Sequence, residues 1–191
     1  FGFTEENNLP ANHNLSGDYK KYANSIMISK QGRLKEALQI LNIIIENNNN
    51  NIFLLETKAD ILYSNAFLNE SLLFYEKVLY QNKKNYYVTK RVFDIKFILM
   101  QIQKNQNSKE LLDTYCFLLE IFLNDNELKD KFTILAKNSN SQDWIDFFLI
   151  EDNFQNKIID IKKYKDDIIN IKKNSNNKKL IKIINYKLEK V

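Results

Sequence analysis

A short pattern recurs in this chain at a fixed spacing, and that spacing constrains the fold more than any single residue does. Gly32-Arg33-Leu34-Lys35-Glu36-Ala37-Leu38-Gln39-Ile40-Leu41 aligns with Ala66-Phe67-Leu68-Asn69-Glu70-Ser71-Leu72-Leu73-Phe74-Tyr75. Leu34 falls on Leu68, Glu36 on Glu70, Ala37 on Ser71, Leu38 on Leu72, Leu41 on Tyr75 and Ile44 on Val78. A period of about 34 residues, with small and large apolar positions inside it, is that of a helix-turn-helix unit. One such unit cannot bury its own apolar face, so neighbours stack and leave a groove along one side. The pattern therefore points to a binding scaffold rather than to a catalyst.

The rest of the chain can be laid out in that register. Residues 1–17 are polar, hold the one Pro and two of the three Gly, and read as a linker. Asp18 is placed to cap a first helix carrying Tyr19, Tyr22, Ala23, Ile26 and Ile28, which Gly32 ends. Helices are predicted over 34–46, 52–64 and 68–81. In a register starting at Ile52, Ala59 and Ser71 take the small positions where paired helices cross closely. Leu62 and Tyr75 take the large positions that follow. Ser25 and Ile28 hold the equivalent places in the first unit with a weaker match. The asparagine run 47–51 reads as a polar loop between units. A third pair departs from the period. Its first helix, over 85–104, is roughly two turns longer than its predecessors. Its second, over 108–123, recovers the motif as Lys109-Glu110-Leu111-Leu112, later than the period requires. Helices over 127–137, 142–154, 156–173 and 178–190 follow. The reading is an all-α, right-handed solenoid of about ten antiparallel helices, similar to tetratricopeptide-repeat (TPR) arrays. Its clear units are 18–51, 52–84 and 85–124, and 125–191 forms degenerate capping units.

Composition agrees with helices and narrows the partners. The chain has 191 residues, 44% of them hydrophobic, with 13 Phe and 10 Tyr, which is too apolar for a disordered polypeptide. Three Gly and one Pro are too few for the turns of a sandwich or barrel. The net charge of +4 is uneven. From Lys157 onward eleven lysines face four acidic residues, leaving the remainder of the chain about three charges negative. Such a segment fits nucleic acid, an acidic partner or an anionic surface, but Lys-rich solvated helix faces account for it more simply. Arg33 and Arg91 are the only arginines, so bidentate phosphate or base recognition is poorly supported. No apolar window is long enough to span a membrane.

Residues that carry chemistry are sparse. The single histidine, His13, lies in the polar N-terminal stretch, so a His-Glu-x-x-His zinc helix is absent from this chain. The lone Cys116 sits in an apolar run and reads as a core residue. Glu151-Asp152 and Asp166-Asp167 are adjacent pairs whose side chains diverge by about 100° on a helix, unlike converging glycosidase carboxylates. Asn124-Asp125-Asn126-Glu127 is too short for a calcium cage, and Asp125 or Asn126 reads as a helix cap. Trp144 leads an apolar run and is assigned to the core. No catalytic residue, metal ligand or cofactor site is assigned.

What remains is a surface. In stacked TPR units the first helix of each pair lines the concave face. Its inner positions are Tyr19, Tyr22, Ile26 and Lys30 in the first unit, Phe53, Glu56, Asp60 and Tyr63 in the second, and Tyr87, Lys90, Asp94 and Phe97 in the third. Aromatic rings mixed with charges suit a protein or peptide partner.

Several stretches taken in order resemble a known family. Tyr22-Ala23-Asn24-Ser25-Ile26, Gly32 with Glu36-Ala37-Leu38, Leu55-Glu56-Thr57-Lys58-Ala59-Asp60-Ile61-Leu62, and Glu70-Ser71 with Tyr75 are similar to the C-terminal TPR region of BepA-like bacterial zinc metallopeptidases. Leu111-Leu112-Asp113, Leu135-Ala136, Ile150-Glu151 and Asn174-Ser175 look like later motifs of that region. Ala59-Asp60 stands where the family has Gly-Gln, and the family's loop Pro and Gly are missing. The resemblance implies a periplasmic protein whose repeats dock substrates or the outer-membrane assembly machinery for a peptidase domain in the same polypeptide. Zinc and its His-Glu-x-x-His helix would then lie N-terminal to Phe1, and no catalytic or metal role passes to any residue here. A stand-alone TPR adaptor or assembly factor is the alternative. A nucleic-acid- or ribosome-associated helical protein using the Lys-rich C-terminus is another.

Overall fold

The computed structural model of the protein describes residues 15–48, 51–103, 108–122 and 125–190. Every regular element among them is an α-helix, the all-α helical-repeat class that the sequence predicts. The chain divides between Lys84 and Asn85 into two compact units.

The first unit holds two helix pairs. α1 (Leu15–Lys30) packs on α2 (Leu34–Asn47), and α3 (Ile52–Ser64) on α4 (Leu68–Gln81). Each pair is joined by a connection short enough to force an antiparallel return. The two turns are alike and occupy the same place in successive repeats. Gly32 and Ala66 both adopt a left-handed φ, 79° and 63°. The Arg33 N–H donates to the Ile28 carbonyl at 3.2 Å and the Gly32 N–H to the Ser29 carbonyl at 2.9 Å. The Phe67 and Ala66 N–H groups repeat this onto Leu62 and Tyr63, each at 3.0 Å. These paired bonds are the Schellman motif, which satisfies the last carbonyls of a helix. α3 is opened by Asn51, whose side chain accepts from the Phe53 and Leu54 N–H groups. The end of the asparagine run therefore acts as a cap.

Packing follows the same period. Ser25, Ile28, Ala37, Leu41 and Ile44 are buried in the first pair, and Ala59, Leu62, Ser71, Tyr75 and Val78 in the second. The helices of the second pair approach so closely that the Ser71 hydroxyl donates to the Ala59 carbonyl at 2.8 Å. Only small side chains leave that much room. Leu41 and Ile44 of α2 then close on Leu54 and Ile61 of α3, which joins the pairs through one apolar cluster.

The second unit contains α5 (Tyr86–Gln103), α6 (Ser108–Tyr115), α7 (Leu118–Ile121), α8 (Asn126–Asn138), α9 (Gln142–Gln155), α10 (Ile161–Asn174) and α11 (Lys178–Lys190). Phe93 of α5 stacks on Phe132 of α8 at 4.7 Å and meets Tyr115 of α6 at 5.5 Å. Trp144 stacks on Phe148 at 5.7 Å, fully inside the core. α11 does not simply follow its neighbour. Lys182 pairs with Glu120 at 3.1 Å and Lys187 with Glu151 at 2.7 Å, and the Lys179 ammonium donates to the Asp113 carbonyl. In a strictly sequential stack each repeat meets only its neighbours, so this unit closes back on its earlier helices.

Three boundaries differ from the sequence reading. α1 begins at Leu15, which places Asp18 inside the first turn rather than at the cap; residues 1–14 of the expected linker lie outside the described residues. The helix predicted over 108–123 is broken at Cys116 and Phe117, where the Leu119 and Glu120 N–H groups bond back only three residues. This tighter coil allows Tyr115, Cys116, Leu118 and Leu119 all to be buried. The helix predicted over 156–173 starts at Ile161. Lys157 takes a left-handed φ of 57° and ends α9 with another Schellman pair, and Asp160 caps α10 by accepting from the Lys163 N–H.

The paired turns yield a test. A Cβ on Gly32 would meet nothing within 4 Å, so Gly32→Ala isolates the backbone cost of a left-handed L-residue. It is expected to destabilise by about 1 kcal/mol, and Ala66→Gly to stabilise by a similar amount. Urea unfolding with unchanged m-values checks both signs.

Candidate functional site

The face that the sequence singles out begins as one surface in the first unit. Tyr22 of α1 lies against Phe53 of α3 with ring centroids 5.1 Å apart, and Tyr19 adjoins Tyr22 at 6.5 Å. The rings are tilted rather than stacked face to face, the usual preference of aromatic quadrupoles. Tyr19 is 65% exposed and Phe53 49%, while Tyr22 between them is half-buried. The Tyr22 hydroxyl lies 3.4 Å from Thr57 Oγ1, which itself donates to the Phe53 carbonyl at 2.8 Å. Three aromatic rings are thus fixed across two first helices, half in water.

Carboxylates flank this ridge. Glu56 and Asp60 lie one and two turns beyond Phe53 on α3, both half-buried. The Tyr75 hydroxyl of α4 donates to Asp60, so a buried core residue orients the acid from behind. Burial raises the Tyr22 phenol above its ordinary pKa, partly countered by its contact with Thr57, and the negative field of Asp60 and Glu56 adds to the rise. Ile26 and Tyr63 are half-buried and Lys30 is exposed.

The four positions assigned in the third pair do not form such a face. Asp94 is only 2% exposed, held by Lys131 of α8 at 2.7 Å and Lys90 at 3.6 Å. Phe97 is core, 6.2 Å from Phe93. Lys90 is half-buried and reaches Asp125 at 3.3 Å. Tyr87 alone is well exposed, with the Arg91 guanidinium 5.1 Å over its ring. The correction has a physical cause. α5 buries residues around much of its circumference, as a central helix does, whereas a groove-lining helix keeps one face wet. Its apolar positions Val88, Val92, Phe93, Ile95, Phe97 and Met100 spread beyond a single stripe despite the charged residues between them, and that spread is the signal that marks this in the sequence.

The second unit's polar groups are tied inward. Asp125 also caps α8, accepting from the Leu128 N–H at 2.9 Å. Burial alone would lower the Lys131 pKa, but Asp94 and Glu127 together hold it above its usual value. Glu151 is buried, bonded to the Tyr164 hydroxyl and to Lys187. Burial first and Glu151 next push the Tyr164 phenol up. Of the lysines on α11, Lys179, Lys182 and Lys187 all engage partners within the unit.

Among the described residues no group of three or more His, Cys, Asp or Glu side chains is placed to hold a metal, and no helix is long and apolar enough to cross a membrane. His13 lies outside the described residues. Cys116 is buried, and burial pushes its thiol up to about 11.

No protein-family model, curated protein or solved structure matches this chain.

Two outcomes follow for the second unit. Asp94→Ala removes the shared carboxylate between two lysines. A broken buried pair costs about 3–5 kcal/mol, and because Glu127 and Asp125 remain as partners the loss is expected near the lower end, read by thermal unfolding. The folded chain holds the Cys116 proton more tightly than the unfolded chain, whose thiol titrates near the ordinary 9.0. Its contribution to stability is therefore intact below about pH 9 and lost as pH rises toward about 11. At pH 8 a thiol reagent is expected to label Cys116 only at the rate of unfolding; immediate labelling of native protein contradicts the buried placement.

Proposed function

We propose that this chain is a non-catalytic protein-interaction scaffold of TPR type, and that it works through the α1–α3 face of the first unit. The observation that carries the reading is the aromatic ridge of Tyr19, Tyr22 and Phe53. Large rings are costly to leave half in water and are concentrated in the cores of protein interfaces. Here they lie at repeat-related positions, Tyr19 and Phe53 being one period apart. The shared turns at Gly32 and Ala66, and the small residues at Ser25, Ala37, Ala59 and Ser71, support the TPR reading.

Within that role, the ordered resemblance to the C-terminal region of BepA-like metallopeptidases favours a docking region for a peptidase domain in the same polypeptide, in the periplasm. Zinc and its ligands would belong to that domain and involve no residue of this chain. A stand-alone adaptor uses the same face. A nucleic-acid role for the Lys-rich C-terminus is disfavoured, because three lysines of α11 are engaged within the unit.

Site-specific photo-crosslinking in cells tests the face. A crosslinking side chain at Tyr19 or Phe53 is expected to trap a discrete protein partner. The same group at Leu73 or Tyr80, exposed positions on α4, is expected to trap little. Equal yields at all four positions would remove the assignment.

A further inference from the structure

We propose that the turn between α9 and α10 docks onto an anionic lipid bilayer, with Ile158 and Ile161 entering the headgroup layer and the lysines beside them meeting its phosphates. The inference concerns the second unit alone and is independent of the α1–α3 face.

Two isoleucines are left in water at this turn. Ile158 is 68% exposed and Ile161 49%. Ile158 follows the left-handed residue that ends α9, and its N–H donates to the Asn153 carbonyl at 2.8 Å. An apolar side chain at that place in a Schellman motif ordinarily packs back on the helix it ends, and Ile158 does so little. From Gln155 to Lys163 every residue except Ile159 is exposed. The turn therefore projects into solvent and offers its isoleucines to whatever apolar medium it meets.

Cations stand beside the pair. Lys157 precedes Ile158, and Lys162 and Lys163 follow Ile161, all three exposed. Unlike Lys182 and Lys187 of α11, none of them enters an ion pair among the described residues. Helix stability does not account for them. Lys157 suits the negative end of α9, but it takes a φ of 57°, which glycine or asparagine adopts with less strain. Lys162 and Lys163 lie in the first turn of α10, where free N–H groups disfavour a cation. Asp160 is the one acid between these lysines, and its carboxylate is used in capping α10, accepting from the Lys163 N–H at 2.8 Å. Asp166 and Asp167 follow a turn later, about 6 Å further along the helix.

A bilayer fits a projecting turn of this kind. It needs no matching concavity, its interface takes up the apolar tips, and its anionic headgroups collect the lysines. Long lysine stems let the ammonium groups reach phosphates while the isoleucines sit deeper. An acidic protein segment answers the lysines but leaves the isoleucines dependent on a pocket of its own.

Co-sedimentation of the full chain with vesicles tests this. Vesicles of phosphatidylglycerol mixed with phosphatidylcholine are expected to bring the chain down, and phosphatidylcholine alone to leave it in solution. Lys157→Gln with Lys162→Gln and Lys163→Gln is expected to weaken binding by about tenfold or more. Ile158→Ser with Ile161→Ser is expected to weaken it several-fold, and circular dichroism is expected to show both variants folded like the parent. Lys172→Gln with Lys173→Gln, at the other end of α10, is expected to leave binding intact. No binding to the anionic vesicles overturns the inference, as does binding that survives loss of the isoleucines or falls equally in the Lys172/Lys173 variant. Capture by a polyglutamate peptide without capture by vesicles also overturns it and assigns the turn to an acidic protein partner.

Discussion

The close crossing of α3 and α4 is the constraint from which the first unit follows. Ala59 and Ser71 are small enough for a side-chain hydroxyl of one helix to reach a backbone carbonyl of the other. That distance fixes how far α4 stands from α3, and with it the depth at which Leu62, Tyr75 and Val78 are buried. Ser25 and Ala37 hold the same positions between α1 and α2. With both pairs set by the same spacing and the same turn, α1 and α3 present equivalent faces, and Tyr22 falls onto Phe53 and Thr57. The ridge is thus a consequence of two small residues per pair.

The second unit solves its packing differently. It carries charges into its interior and neutralises them there. Asp94 is shared by Lys90 and Lys131, and Glu151 by Lys187 and Tyr164. Pairs of this kind add little net stability over apolar packing but are costly to leave half-made. They therefore specify which helices meet. The excess of lysine near the C-terminus has a structural part in this, because α11 is held to α6, α7 and α9 through its ammonium groups. A local positive charge that looked available for an external anion is partly engaged inside the unit.

What the sequence made legible was whatever local periodicity encodes. The bounds of α3, α4 and α11 coincide with the helices expected over 52–64, 68–81 and 178–190, since apolar spacing marks all three, asparagines open α3 and α11, and small residues set the α3–α4 crossing. The boundary between α9 and α10 was illegible because it depends on Lys157 in a left-handed conformation, which no side-chain preference announces. Ala66 does the same, and only its place one period after Gly32 gives it away. The ridge was readable as Tyr19, Tyr22 and Phe53 because those positions inherit the repeat. The third-pair positions failed because the repeat is lost there. Asp94 and Phe97 were assigned to a wet face by counting, while apolar residues spread around more than one face of α5 mark it as a helix enclosed by others. Thr57, which positions Tyr22, was hidden inside a motif read for its apolar residues.

The central claim is that the repeat's spacing locks Tyr22 between Tyr19 and Phe53 on a half-exposed face. Nuclear Overhauser contacts of the Tyr22 ring in the free protein test this most directly. The account requires strong cross-peaks to the Phe53 ring and to the Thr57 methyl group on α3, alongside those to Tyr19. A Tyr22 ring with contacts only to its own helix would contradict it.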